Sequence, residues 1–315
     1  MNAPTRINSK LDVRSQFPAI SGWHYLDSAA TAQKPQAMID SITQAYSRDY
    51  ATVHRGVYER SATMTDAYER SRAAASRLIG GQPNELIFTR GATEAINLVA
   101  RALPKEGRNR VLLSQLEHHS NIVPWQLAGY AIDVCPLTEN GQIDLDAAEA
   151  MLTEQHRLVA FAHVSNVLGS ILDAKRAAQI AHSKGALLLL DGCQAVPRLP
   201  VDVAAIDADF YAFSAHKLYG PTGIGCLWAS AELLSQMPPW QGGGAMIEKV
   251  TFEETTFLDP PARFEAGTPH IVGAVGLHAA VNWVEKLSLD AIHAHECALV
   301  AETRGALSAI DGVTL

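Results

Sequence analysis

The run Ala186-Leu187-Leu188-Leu189-Leu190-Asp191-Gly192 constrains this chain more than any other stretch. It is apolar without alternation, then ends on an acid and a breaker. A strand of that kind is buried on both faces, the habit of a parallel sheet covered by helices on each side. Sheets of this class bind ligands beyond the carboxyl ends of their strands, where Asp191 stands. Val111-Leu112-Leu113-Ser114 and Leu158-Val159-Ala160-Phe161-Ala162-His163 repeat the pattern. Helical spacing over about 145–154 and 173–184 separates these runs, which gives the strand-helix alternation of a doubly wound α/β fold.

A second stretch supplies the chemistry. Asp209-Phe210-Tyr211-Ala212-Phe213-Ser214 reads as a strand, and Ala215-His216-Lys217-Leu218-Tyr219-Gly220-Pro221 turns sharply after it, so Lys217 also lies at a strand end. A lysine amine held against the carbonyl of an aldehyde cofactor forms a covalent link with it, and pyridoxal phosphate (PLP) is the obvious candidate. PLP further requires a carboxylate for its ring nitrogen, a flat group for its ring and donors for its phosphate. Asp191 suits the first need. Arg90-Gly91-Ala92-Thr93-Glu94 follows the strand 85–89 and opens a helix, where free N–H groups, the helix dipole and the Thr93 hydroxyl favour an anion. Glu117-His118-His119 and Val164-Ser165-Asn166 follow two other buried strands. Adjacent histidines point in different directions and no third ligand lies at metal spacing, so no metal site is expected. The loop 238–244 is rich in glycine but lacks the Lys and Ser/Thr of a nucleotide-binding loop.

From about Tyr25 to the last residue, these motifs resemble the fold-type I PLP enzymes of aminotransferase class V. Ser214 to Gly225 and Asp191-Gly192-Cys193-Gln194-Ala195 carry the likeness most strongly, and it is closest to Suf-type (group II) cysteine desulfurases and selenocysteine lyases. The resemblance implies a large domain with a mostly parallel, seven-stranded type of sheet. It implies that Lys217 binds the cofactor, that Asp191 meets the ring nitrogen, and that His118 stacks on the ring and passes protons. Asn166 and Gln194 would face the ring oxygen, with Asn166 also near substrate. Thr93, Ser214, His216 and the backbone at Ala92 would cup the phosphate. The turn Asp27-Ser28-Ala29-Ala30-Thr31 would border the substrate pocket at Ala29, and the loop bearing Arg55 would lie against the partner subunit's site. Thr268 in Arg263-Phe264-Glu265-Ala266-Gly267-Thr268-Pro269 would reach the other subunit's phosphate, so a homodimer is implied twice.

The implied reaction converts L-cysteine to L-alanine and an enzyme persulfide, with sulfur passed to an acceptor protein for iron-sulfur cluster assembly. Selenocysteine lyase, another class V lyase, and a non-catalytic scaffold remain open alternatives. Composition narrows the partners: a formal net charge of −8 over 315 residues, without a long basic run, disfavours nucleic acid and membrane surfaces. Four widely spaced cysteines, 135, 193, 226 and 297, suit a reducing cytoplasm. Residues 1–20 are expected to pack on a second domain and to be disordered without it, 21–287 to form the PLP-binding domain, and 288–315 to begin a truncated C-terminal domain. That reading leaves out the family's nucleophilic cysteine and carboxylate-binding arginine, and it predicts impaired turnover. Locally, the spacing predicts a helix over 11–17 ended by Pro18, a brief strand at 23–26, a helix over 36–50, one long helix from an N-cap at Ser288 to Ile310, and a strand start at 313–315.

Overall fold

The computed structural model describes residues 11–315. Its large sheet has seven strands, β1 (Leu86–Thr89), β2 (Arg110–Ser114), β3 (Ala131–Cys135), β4 (His156–Ala162), β5 (Leu187–Asp191), β6 (Phe210–Ser214) and β7 (Gly225–Ala229), in the order β1-β7-β6-β5-β4-β2-β3. Neighbours from β3 through β6 pair in parallel, while β7 runs antiparallel to both β6 and β1. The carboxyl ends of β1, β2, β4, β5 and β6 therefore share one edge. This is the expected mostly parallel α/β architecture.

The leucine run shows why both faces had to be covered. Leu188 and Leu190 belong to one core cluster and Leu189 to another, since successive side chains leave a strand on opposite sides. The helices are α1 (Gln36–Gln44), α2 (Glu59–Leu78), α3 (Ala92–Ala102), α4 (Val123–Leu127), α5 (Leu145–Met151), α6 (Ala174–Ser183), α7 (Val203–Ile206), α8 (Ala231–Gln236), α9 (Ile271–Leu287) and α10 (Leu289–Ser308). Residues of α2, α5, α6 and α9 join Leu188 and Leu190, whereas residues of α3, α4 and α8 join Leu189. A separate hairpin, β8 (Ile247–Val250) and β9 (Thr255–Phe257), lies outside the large sheet.

Several local expectations change. Residues 11–17 form no continuous helix: 3₁₀ turns occupy Arg14–Gln16 and Pro18–Ile20, and Pro18 starts the second turn because its fixed φ suits a first helical position. Among the described part of the N-terminal segment, Phe17 packs edge-on to Trp283 of α9 at 5.3 Å, and Trp283 donates to Gln16 Oε1 at 2.7 Å. These contacts hold the described part of the segment against α9. Residues 1–10 lie outside the described residues.

Residues 23–26 pair with no strand, and Tyr25 instead donates its hydroxyl to the Thr31 carbonyl at 2.7 Å. The helix at 36–50 is α1 followed by a wider π-helical turn, Ala45–Asp49. Ser288 makes no side-chain cap for α10, because it is the single joint between α9 and α10 and sits at φ +72°. Residues 313–315 form no strand. The strand β3 and the hairpin went unread in the sequence, since neither has an uninterrupted apolar run.

Candidate active site

The shared strand edge encloses a cavity of about 440 Å³. Its wall brings together Asp191 from β5, Ser214 from the end of β6, Lys217 and His216 from the turn after β6, and His118 from the loop after β2. Ala92 and Thr93 from the start of α3, Asn166 from the loop after β4, and Ala29 complete the predicted set found there. Residues as far apart in the chain as Ala92 and Lys217 thus meet because five strands end side by side.

Asp191 is buried, and its Oδ1 accepts from the Cys193 backbone N–H at 3.0 Å. The next residue has to be glycine because Tyr211 packs directly over Gly192, leaving no space for a Cβ. Behind this floor, the Tyr211 hydroxyl lies 2.8 Å from His163 Nδ1, and burial lowers the His163 pKa to about 4. His163 is therefore a neutral imidazole at ordinary pH.

The corner at the start of α3 is built by close backbone approach. Ser214 Oγ accepts from the Ala92 N–H at 2.9 Å, fixing the first turn of α3. A Cβ on Gly225 would lie 2.5 Å from Gly91 Cα and 2.5 Å from the Phe213 carbonyl oxygen, so only glycine lets β7 pass beneath this corner. The remaining first-turn N–H groups have no intrahelical acceptor, which leaves them for an anion.

Lys217 ends a 3₁₀ turn, Ala215–Lys217, and the chain then reverses through Tyr219 at φ +59°, with the Gly220 N–H bonded back to the Ala215 carbonyl at 2.9 Å. A strap that sequence reading missed holds this turn. The His216 carbonyl accepts from the Ala32 N–H at 3.0 Å and from Lys34 Nζ at 2.9 Å, and His216 Nδ1 lies 3.1 Å from Thr31 Oγ1. Burial lowers the Lys34 pKa to about 8. Burial also lowers that of His216, and the charges of Lys217 and then Lys34 add to the effect.

His118 Nδ1 accepts from the Ser120 N–H at 3.2 Å and lies 2.8 Å from Ser120 Oγ, which leaves Nε2 without an assigned partner within its own turn. Burial, then the Lys217 charge, lowers its pKa, while Asp191 opposes the shift. Its neighbour Glu117 was passed over in the sequence, yet it is buried and its carboxyl is pushed up to about 7 by desolvation.

Three predicted residues lie elsewhere. Gln194 is buried beside the cavity rather than on its wall: its Nε2 donates to the Ala29 carbonyl at 2.7 Å, and its Oε1 accepts from Arg198 at 2.8 Å. Arg55 and Thr268 share a second cavity of about 790 Å³ with Gly244 and Glu265. The loop carrying Thr268 is anchored by Glu265, which pairs with buried Arg72 at 2.6 Å and accepts from the Phe88 N–H at 2.7 Å. Arg72 stacks over the rings of Phe88 and Tyr68, and this charge-compensated setting explains how a guanidinium is buried. Cys193 does line the Lys217 cavity, but burial and then the Asp191 charge push its thiol well up. No group of three or more His, Cys, Asp or Glu arranged to hold a metal ion occurs among the described residues. Nor is any helix there long and apolar enough to cross a membrane.

A family model described as aminotransferase class-V matches residues 24–315. The chain is 45% identical over its whole length to a cysteine desulfurase of Dickeya dadantii, covering 80% of that protein. It is 42% identical to a probable cysteine desulfurase of Vibrio cholerae, over 96% of this chain and 78% of the relative. Among solved structures, the cysteine desulfurase CsdA of Escherichia coli superposes with a TM-score of 0.88 at 38% identity, over 95% of this chain and 77% of the other. The apo cysteine desulfurase of Thermococcus onnurineus NA1 gives 0.90 at 35% identity, over 96% and 77%. Sequence match and fold agree along nearly the whole chain, and it belongs to the aminotransferase class-V family, beside its cysteine desulfurase relatives.

Proposed function

We propose that this chain is a PLP-dependent cysteine desulfurase that releases L-alanine from L-cysteine and passes the sulfur to a thiol. The reading rests on the convergence of Lys217, Asp191 and His118 on one cavity whose wall also includes the first turn of α3. The cavity fits PLP on its own terms. It has a buried carboxylate at one side, unpaired helix-terminal N–H groups at another, and a glycine-enforced corner at Gly225 that a side chain would fill. Lys217 would hold the aldehyde carbon, Asp191 the ring nitrogen, and Thr93, Ser214, His216 and the Ala92 backbone the phosphate. When bound, PLP draws electrons from the substrate carbon next to the amine.

The chain's own residues then have separate tasks. Asp191 offers its free oxygen to a protonated ring nitrogen. Burial lowers the His118 pKa and favours the neutral ring; in the tautomer whose Nδ1–H donates to Ser120 Oγ, 2.8 Å away, Nε2 is free to take up a proton and return it. Asn166 donates or accepts beside the substrate, and Ala29, held by Gln194, keeps that side of the pocket narrow. Overall, a thiolate takes the substrate's sulfur and becomes a persulfide, the carbon–sulfur bond breaks, and the carbon gains a proton to give alanine.

None of the four cysteines suits the thiolate role. Cys135, Cys193 and Cys226 are buried with raised pKa values, and exposed Cys297 on α10 is not on the wall of the Lys217 cavity. For these 315 residues alone we expect slow turnover that depends on added thiol as the sulfur acceptor. The unpaired cysteines suit a reducing, cytoplasmic setting, with a sulfur-acceptor protein as partner. Arg55 and Thr268 lie together, away from Lys217, and this is the arrangement a homodimer would use to complete one site from two chains.

The test is borohydride reduction of the PLP-loaded protein followed by peptide mass analysis. The cofactor mass is expected on the peptide containing Lys217 and is expected to be absent from Lys217→Ala. Cysteine added before reduction should protect Lys217 and yield alanine. Labelling at another lysine, or none in folded protein, rejects the assignment. Labelling that cysteine leaves unchanged while selenocysteine removes it points to the lyase instead.

A further inference from the structure

The buried acid next to His118 has no part in the chemistry above, yet three donors converge on it. Glu117 Oε1 accepts from Ser114 Oγ at 2.5 Å and from the Ala162 N–H at 3.0 Å, and Oε2 accepts from Asn121 Nδ2 at 2.6 Å. Ser114 ends β2 and Ala162 ends β4, so one carboxylate joins two strand ends. Asn121 is just as fully used: its Nδ2 also donates to the Ala160 carbonyl at 3.1 Å, and its Oδ1 accepts from Trp125 Nε1 at 3.0 Å. The Asn121 N–H bonds the His118 carbonyl at 2.7 Å and closes the turn that presents the imidazole.

We propose that Glu117 is a positioning residue whose carboxylate joins the His118 turn to the ends of β2 and β4, setting His118 and Asn166 around the Lys217 cavity. The donor pattern calls for an acid rather than its amide. In Glu117→Gln, the new NH2 would face either Asn121 Nδ2 or the two donors on Oε1. Relief by rotating the Asn121 amide would break its bonds to Trp125 and to Ala160. An isosteric change is therefore expected to loosen the turn.

The part concerning His118 catalysis rests on the PLP reading, so the experiment separates the two. Proteins carrying 15N-labelled histidine, wild type, Glu117→Gln and Ser114→Ala, are compared by NMR with and without PLP, using His118→Asn to assign the resonance. The expected result is that Glu117→Gln shifts or splits the His118 resonance and moves its titration midpoint up toward 6.5. His163 should stay unchanged and unfolding should remain cooperative though at a lower midpoint, and Ser114→Ala should give a smaller His118 shift in the same direction. With PLP and cysteine, kcat is expected to fall 10- to 100-fold in Glu117→Gln, with KM within about threefold. An unchanged His118 resonance in both variants would overturn the proposal. If PLP fails to bind even the wild type, the functional reading falls while the His118 shift still decides the positioning role.

Discussion

Individual residues at this site differ in how far burial, rather than charge pairing, sets their protonation. His163 is the sharpest case, since desolvation alone holds its pKa at about 4 against an ordinary 6.5. A histidine with a depressed native pKa contributes stability that is complete above about pH 6.5 and lost as pH falls toward 4. Between pH 7 and pH 5 this one group should cost about 2 kcal/mol of unfolding free energy. Urea titrations of wild type and His163→Gln at both pH values check this: the variant should lose less on acidification, and equal losses would refute it. Asp191, Lys217 and Asn166 were legible in the sequence because each ends a recognisable strand. Glu117 and Lys34 were not, because an acid beside a histidine and a lysine after a turn look like surface residues until their burial is known.

At the level of elements, the site depends on how closely β7 and the start of α3 can approach each other. Gly225→Ala would place a methyl group against the backbone of Gly91 and Phe213, with no flexible side chain to give way. Overpacking of that kind costs roughly 1–3 kcal/mol, and here it would also displace the α3 terminus. We expect a lower midpoint in thermal unfolding together with at least tenfold weaker PLP binding by fluorescence titration. A loss of stability with unchanged PLP affinity would show that the α3 corner does not hold the phosphate. The buried strands were readable as elements because runs such as Ala186–Leu190 permit little else. Residues 23–26 were misread as a strand because a short apolar and aromatic segment fits an extended loop equally well, and only a pairing partner separates the two. Pro18 was misread as a stop because the same fixed φ that ends one turn can begin another.

For the whole molecule, Thr268 and Arg55 stand apart from Lys217, and the proposed dimer makes a distinctive prediction. If Thr268 serves the partner subunit's cofactor, Lys217→Ala and Thr268→Ala homodimers should each bind PLP abnormally. Mixing the two chains under conditions of subunit exchange should restore one normal site per heterodimer, read from the Lys217-dependent absorbance. The absence of any recovery would place Thr268 in its own chain's site or outside it. The sequence by itself determined the α/β class, the strand ends at which Asp191, Lys217 and Asn166 fall, and the family, because periodicity and local motifs are properties of short segments. Only the tertiary structure decided that β7 runs antiparallel, that Gln194 donates to the Ala29 carbonyl, and that Glu117 joins β2 to β4. Those facts depend on which distant segments become neighbours, and burial then assigns each polar group its partners.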